Sequence, residues 1–247
     1  MTVYVYDGSF EGLLTVIYEV YYNKDKPEVV FKKEEYVHNF LHNVIEISSD
    51  ENKWKKVYEA IKIKISGAVL RNIYLLHLSE LKNIERLIIE YTKLAFKIGK
   101  DVDLHMYNAM IFEVHKVIKK VEYEKHRVVG FVRFASIGES LFYSKIEPDH
   151  NILELIMPHF SQRFKEENFI IHDIKRKIGG IYSKEKGKWH IHTLYLEDIP
   201  QINNDELYNK LWKEYFTSVS IKERKNHRLQ KRMMPKRYWK HMSEFNS

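Results

Sequence analysis

The N-terminal residues alternate in the manner of a half-buried strand. Over Thr2–Tyr6 the chain is rich in β-branched and aromatic residues, and Asp7-Gly8-Ser9 follows with turn chemistry. Residues 10–22 then carry apolar side chains at helical spacing, and Ser9 is placed to cap that helix. The chain is therefore predicted to open as strand, turn and helix. A lone glycine at such a turn suits a phosphate site or a plain tight turn, and favours the tight turn.

Helical periodicity dominates residues 50–124. Residues 61–65 also alternate like a strand, but the periodicity before them favours a helix. Serine residues at element boundaries have the character of N-caps, because their hydroxyl can accept a hydrogen bond from a free backbone N–H. The predicted elements are a strand at 44–47 and helices from Asp50, from Ser66, from Ser79 (80–98, stopping at Gly99) and over 103–121.

The second half of the chain is predicted to be a sheet with one helix on it, in the order ββαβββ. The predicted strands are 127–135, 141–146, 169–173, 178–182 and 189–196, with a turn at Gly138 and a last helix at 205–216. Pro158 is expected to kink the helix after the second strand or to begin a fresh turn. The fold class is thus α+β, a helical N-terminal block packed on an antiparallel sheet, whose edge the opening strand is a candidate to join. The predicted blocks are 1–124, 125–219 and 220–247, in one compact unit.

The charge of the chain is concentrated at its C-terminal end. Residues 220–247 hold nine basic side chains against two acids, a balance of +7, and the whole chain has the same net charge from 41 basic and 34 acidic residues. The first 219 residues are therefore formally neutral. A cationic segment that carries Tyr238 and Trp239 has the features of a polyanion-binding surface, since cations contact phosphates and rings stack on bases. Pairing of the same cations with acids of their own domain is an equal alternative.

Several classes of chemistry are excluded by what the sequence lacks. With no cysteine there are no disulfides, zinc–thiolate sites or thiol nucleophiles, and no cofactor is predicted. Phosphate-loop, dinucleotide-binding and serine-hydrolase motifs are also absent. No apolar run is long enough for a membrane span and the N-terminus lacks a secretory pattern, so a cytoplasmic location is expected.

Two groups of scattered residues are candidates for chemistry. His190 and His192 lie two apart on a predicted strand, where they share one face and suit a metal, with His172-Asp173 nearby; two solvated histidines are the favoured alternative. The second group is a possible acid–base or anion site at the sheet end, for which structural ion pairs such as Arg133–Glu147 are the favoured alternative. Its members are His126, Arg133, Glu147, His159 and Arg163.

Four segments carry a resemblance to a known bacterial family: YVYDGSFEGLL, EKHRVVGFVRF, IEPDHNILELIMPHFSQRF and ERKNHRLQKRMMPKRYWKHMSEF. The chain resembles the domain-of-unknown-function family DUF4130, labelled probable DNA metabolism protein. That resemblance implies a radical-SAM partner acting in DNA modification or repair, and in some relatives a fusion to a uracil-DNA-glycosylase-like domain. The matching positions are Asp7, Gly8, Phe10, Glu11, Gly12, Glu124, His126, Gly130, Arg133, Phe134, Glu147, Pro148, His159, Phe160, Arg163, Phe164, Asp173, Arg224, Asn226, Arg228 and 234–239.

Two departures from the family pattern stand out. His227 replaces a usual proline after Asn226, and His190 and His192 do not correspond to fixed histidines. The leading hypothesis is an accessory protein that binds DNA and assists the radical-SAM partner. Phosphate contacts are assigned to Arg224, Arg228, Lys236 and Arg237, and base stacking or partner docking to Tyr238 and Trp239. The alternatives are a hydrolase or nuclease that uses the His/Arg/Glu group, and a docking scaffold for the radical-SAM enzyme.

Overall fold

A computed structural model describes residues 1–23, 26–137, 140–199 and 226–242. The chain divides into two compact units, Met1–Val121 and Glu122–Ser247. The fold combines helices and sheets, with most of the helices in the N-terminal half, as the sequence predicts. The predicted helix at 205–216 lies outside the described residues.

The first unit contains a three-stranded parallel sheet. Its strands are β1 (Thr2–Tyr6), β2 (Val29–Lys32) and β3 (Asn43–Ile47), in the order β2-β1-β3. The opening strand therefore lies at the centre of its own sheet, where both of its edges are already paired, and does not join the sheet of the second unit. Strand β2 is not foreseen by the sequence, because it is only four residues long and follows a polar break.

Among the described residues, four α-helices lie wholly within this unit: α1 (Phe10–Tyr22), α2 (Glu51–Lys64), α3 (Gly67–Leu78) and α4 (Ile84–Ile98). The predicted caps Ser9, Asp50 and Ser66 are confirmed, since each side chain accepts a hydrogen bond from a backbone N–H of the first turn. The helical interpretation of 61–65 is likewise correct for the residues within α2. Ser79 is not an N-cap: its hydroxyl donates to the carbonyl of Leu76 at the end of α3.

The turn after β1 is closed by its own aspartate. The Asp7 carboxylate accepts hydrogen bonds from the Ser9 N–H and hydroxyl and from the Ser49 hydroxyl, at 2.6 to 2.9 Å. These bonds hold the pKa of Asp7 below its usual value, although burial acts in the opposite direction. An anionic side chain thus already lies beside the N-terminus of α1, which is the arrangement of a tight turn rather than a phosphate site.

One long helix replaces a predicted helix and the beginning of a predicted strand. Helix α5 runs over Ala109–Phe131, whereas a helix ending at Val121 and a strand at 127–135 were expected. Its buried stripe continues from Val121 to Val128 through Glu124, which is itself buried. Because a charged residue, Glu124, occupies a core position, the spacing of apolar residues alone does not indicate that the helix continues.

The second unit contains a five-stranded sheet in the order β4-β5-β6-β7-β8. The strands are β4 (Ala135–Ile137), β5 (Leu141–Ile146), β6 (Asn168–Asp173), β7 (Ile178–Ser183) and β8 (Lys188–Thr193). The predicted order ββαβββ is correct, and three of the four pairings are antiparallel. The β5–β6 pair is parallel because the chain crosses over between them through α6 (Leu153–Arg163). The predicted turn at Gly138 lies outside the described residues.

Helix α6 covers one face of this sheet. The sulfur of Met157 lies 2.4 Å from the position that a Cβ would take at Gly180, so this strand residue has to be small. Phe134 and Phe160 pack edge-to-face 5.6 Å apart, and Phe169 and Tyr182 stack at 5.1 Å, which extends the core under the helix. Pro158 lies inside α6 rather than in its first turn.

Candidate nucleic-acid interface

Two short helices form the described part of the basic C-terminal segment. Helix α7 (His227–Met233) is capped by Asn226, whose side chain accepts a hydrogen bond from the Leu229 N–H at 2.9 Å. A 3-10 helix (Lys236–His241) follows directly after Pro235. The indole N–H of Trp239 donates to the carbonyl of Met234 at 3.0 Å, which ties the second helix to the end of the first. We call residues 226–242 the basic segment.

The basic segment is anchored on Glu124, a buried carboxylate of α5. Glu124 accepts hydrogen bonds from the backbone N–H groups of Asp149 and His150, at 2.9 and 2.8 Å, and from the hydroxyl of Tyr238. Arg237 adds a contact of 3.4 Å to Glu124 and a closer ion pair of 2.6 Å to Asp149. Burial and the adjacent carboxylate raise the pKa of Tyr238, which therefore remains a donor. A buried charge with this many donors is fully compensated.

A second anchor lies at Glu147. Its carboxylate contacts the ammonium group of Lys240 at 2.6 Å and the imidazole of His241 at 3.0 Å. Burial opposes ionisation of Glu147, but the contacts with Lys240 and His241 together outweigh it, and the pKa of Glu147 is below the usual value. Met242, which follows His241 in the sequence, is completely buried. The segment is thus held to the turn 147–150 at both Glu147 and Asp149.

The turn 147–150 is also fixed by Arg176, which follows β6. Its guanidinium donates to Asp173 at 2.7 Å and to the carbonyl groups of Pro148 and Asp149 at 3.1 and 2.8 Å. Helix α5 also contacts the basic segment through Arg127, which donates a hydrogen bond to the carbonyl of Arg232 at 2.8 Å. Neither arginine is singled out by the sequence, because a single basic residue in a turn or on a helix has no distinguishing pattern.

Three of the four segments that carry the family resemblance therefore meet at one place. They contribute Glu124, the turn 147–150 and the run 234–239. Each carboxylate in this cluster is already bound by donors from the protein, so the cluster acts as a structural clamp for the basic segment. The sequence suggested these segments separately, but only the tertiary structure shows that they interact.

The nucleic-acid candidates occupy different environments within the basic segment. Arg228 and Lys236 are exposed, Arg237 is paired with carboxylates, and Arg224 lies outside the described residues. Tyr238 is 5% exposed and packs against Phe131 at 5.4 Å between ring centroids. Its buried ring cannot stack on a base in this conformation, so the prediction of base stacking by Tyr238 is wrong for this structure. Trp239 is half-buried, with its indole N–H already used.

The proposed catalytic residues have different neighbours. Arg133 donates to the carbonyl of Gly130 at 2.9 Å, whereas Glu147 is bound by Lys240 and His241. His126 and His159 are both exposed to solvent, and the His159 ring meets that of Phe160 edge-to-face. The guanidinium of Arg163 lies over the ring of Phe164. The partner expected for Glu147 was Arg133, and the carboxylate instead anchors the basic segment. The Glu147 carboxylate is therefore already engaged by an ion pair with Lys240 and a contact with His241.

The histidine candidates for a metal site are also separated. His190 and His192 are exposed on β8 with ring centroids 6.3 Å apart. His172 is buried on β6, where its Nδ1 lies 2.7 Å from the Tyr143 hydroxyl, and strand β7 separates it from β8. Asp173 is bound by Arg176. Within the described ranges, no cluster of three or more histidine or acidic side chains has metal-binding geometry.

The fold and this clamp define a mixed α/β protein whose second unit carries a basic segment anchored on Glu124, Glu147 and Asp149. The family model of the domain of unknown function DUF4130 matches residues 82–244, and the chain belongs to that family. No curated protein and no solved structure matches it. In the part of the chain that the structure describes, no helix has the length and apolar character needed to cross a membrane.

Proposed function

We propose that this protein binds nucleic acid through the exposed cations of the basic segment. The observation that carries the proposal is a difference in ion pairing among exposed cations: Arg237 and Lys240 contact carboxylates, whereas four exposed neighbours contact none among the described residues. No carboxylate among the described residues forms an ion pair with these four. They are Arg228, Lys231, Arg232 and Lys236.

The clamp supports this function by holding the segment in place. A fixed array of cations loses less conformational entropy on binding than a flexible tail does. Arg237 and Tyr238 thus take the role of anchors, and the phosphate contacts fall to Arg228 and Lys236 with Lys231 and Arg232. Release of counterions from phosphates would supply most of the affinity.

The biological setting of the proposal comes from the family resemblance. We propose a cytoplasmic accessory protein that binds DNA and assists a radical-SAM partner in DNA modification or repair. The exposed histidines His126 and His159 and the engaged Glu147 do not favour a hydrolase. A test of the partnership is co-purification of the two proteins from cells, with and without nuclease. Association only before nuclease treatment means that DNA bridges them, and no association in either case contradicts the partnership.

Salt dependence of DNA binding tests the function. Replacing Arg228, Lys231, Arg232 and Lys236 by alanine should lower the slope of log K against log salt by about 0.9 for each duplex phosphate that the variant no longer neutralises. A matched control removes four exposed lysines of the same unit: Lys165, Lys184, Lys186 and Lys188. Equal losses in the two variants would show that only net charge matters, and no binding by the unmodified protein at low salt would contradict the proposal.

A further inference from the structure

An apolar cleft opens on the surface of the first unit, between helices α1, α2 and α4. It has a volume of about 270 Å³, and most of its lining surface is apolar. Ile17 and Val57 lie at its buried side. Its other large residues are Tyr18, Tyr21, Tyr22 and Phe96. Four aromatic rings around one small cavity form a site for a flat ligand.

The aromatic rings are available to a ligand from solvent. Tyr22 is 73% exposed and lies 4.4 Å from Tyr18 between ring centroids, while Tyr21 is 44% exposed and meets Phe96 edge-to-face at 5.7 Å. Single exposed tyrosines are common on protein surfaces, but two that flank an apolar cavity are not explained by core packing. Their faces can continue a stack that begins inside the cleft.

Cations surround the same opening. Helix α2 contains five lysines and two glutamates, and two of its lysines, Lys56 and Lys64, line the cleft. Lys53 and Lys55 are paired with Glu19 and Glu51. Across the described ranges no carboxylate forms an ion pair with Lys56 or Lys64, and both are exposed. The rim of the cleft is therefore positively charged. An anionic ligand would neutralise these lysines, whereas an uncharged apolar peptide would not.

We infer that this cleft binds one unstacked base of a single-stranded nucleic acid, with Lys56 and Lys64 on the flanking phosphates. Stacking on tyrosine accepts any base, and a lysine rim accepts any phosphate, so this site has little sequence preference. The inference extends the proposed nucleic-acid binding to the first unit and rests on that proposal. Since a base within a duplex is already stacked, the site discriminates single strands from duplex DNA.

The test compares a fluorescent oligothymidine with a duplex of the same length by anisotropy, using the full chain. Tyr21→Leu with Tyr22→Leu keeps the cleft apolar but removes two stacking faces. Stacking worth about 1–3 kcal/mol per base corresponds to a loss of roughly 5- to 150-fold in single-strand affinity. Duplex affinity should be unchanged. Tyr107→Leu is the control, because Tyr107 is an exposed tyrosine of the same unit that does not line the cleft.

A second pair of variants tests the lysines and separates the two proposals. Lys56→Gln with Lys64→Gln should lower the single-strand salt slope by about 0.7 for each phosphate that is no longer neutralised. If the variant of Arg228, Lys231, Arg232 and Lys236 loses affinity for both oligonucleotides while the tyrosine variant retains both, the cleft inference is wrong and the proposed function stands. Loss of only the single strand in the tyrosine variant, with circular dichroism unchanged, supports the cleft. No binding of either oligonucleotide by the unmodified protein contradicts both.

Discussion

Glu124 shows how one residue connects the buried stripe of a helix to a distant segment. It lies on the apolar stripe of α5 between Val121 and Val128, where a carboxylate without partners would cost several kcal/mol. Two backbone N–H groups, the hydroxyl of Tyr238 and Arg237 satisfy it instead. Burial makes an unpaired Glu124 unfavourable, and it therefore favours this one conformation, because few other conformations of the chain supply all of these donors together.

We predict that removing the charge of Glu124 lowers the stability of the fold more than removing one of its hydrogen-bond donors. Glu124→Gln replaces an acceptor oxygen by an amide that faces other donors, and should lower the free energy of unfolding by about 2–4 kcal/mol. Tyr238→Phe removes one hydrogen bond and keeps the ring, and should cost only about 1–2 kcal/mol. Urea unfolding measures both. Glu166→Gln is the control, since the Glu166 side chain is 82% exposed, and a loss there as large as in Glu124→Gln would contradict the account.

At the scale of elements, helix α1 is positioned by a close contact with the turn before it. A Cβ at Gly12 would lie 2.1 Å from the carboxylate oxygen of Asp7, which Ser9 and Ser49 already hold. The absent side chain thus allows the first turn of α1 to approach the end of β1. At Gly130, inside α5, a Cβ would meet no atom within 4 Å apart from its chain neighbours and the backbone of its own helix.

The same substitution should therefore have opposite effects in the two helices. Gly12→Ala should destabilise the protein by about 1–3 kcal/mol, because the new methyl group displaces the Asp7 carboxylate. Gly130→Ala should be neutral or stabilising by up to about 1 kcal/mol, since alanine restricts the unfolded chain and favours a helix. Thermal and urea unfolding of the two variants provide the comparison. Similar destabilisation by both would show that the contact with Asp7 is unimportant.

For the molecule as a whole, several ionisable groups are arranged so that acid weakens the folded state. Burial lowers the pKa of His77 to about 4 and also lowers that of His241, so protonation of either histidine favours the unfolded chain. The pKa values of Asp7 and Glu147 are lowered by their hydrogen bonds, although burial opposes this, and their stabilisation is lost at still lower pH. Glu85 acts in the opposite direction, because burial raises its pKa.

We predict that stability falls as the pH is lowered from 6.5 towards 4. A pKa of about 4 for His77, against 6.5 when unfolded, corresponds to roughly 3 kcal/mol lost across that window. Well above pH 6.5 the histidine is neutral in both states and contributes no pH dependence. His77→Phe keeps a ring beside Phe10 and cannot be protonated, so its pH profile should be shallower. Urea unfolding between pH 7 and 4 measures this, and parallel profiles would contradict it.

Local patterns predicted much of the secondary structure. The caps Ser9, Asp50 and Ser66 were identified because capping depends on residues three apart. The extent of α5 was not, because Glu124 interrupts the apolar period, and its donors come from residues 25 or more positions later. The candidate site shows the same division. Arg228 and Lys236 are exposed and fit the predicted role in phosphate binding, which stays a prediction. The sequence could not indicate that Arg237 pairs with Asp149, because the two residues are far apart along the chain.

Neighbouring residues were enough to predict most of the helices and strands, apart from β2 and the end of α5, and to locate the positive charge at the C-terminal end. The tertiary structure decided which of those charges remain exposed and which are neutralised. Arg237 and Lys240 meet Asp149 and Glu147 only after the chain has brought residues some 90 positions apart within hydrogen-bond distance. An ion pair depends on the distance between charges in space, and that distance is set by the fold.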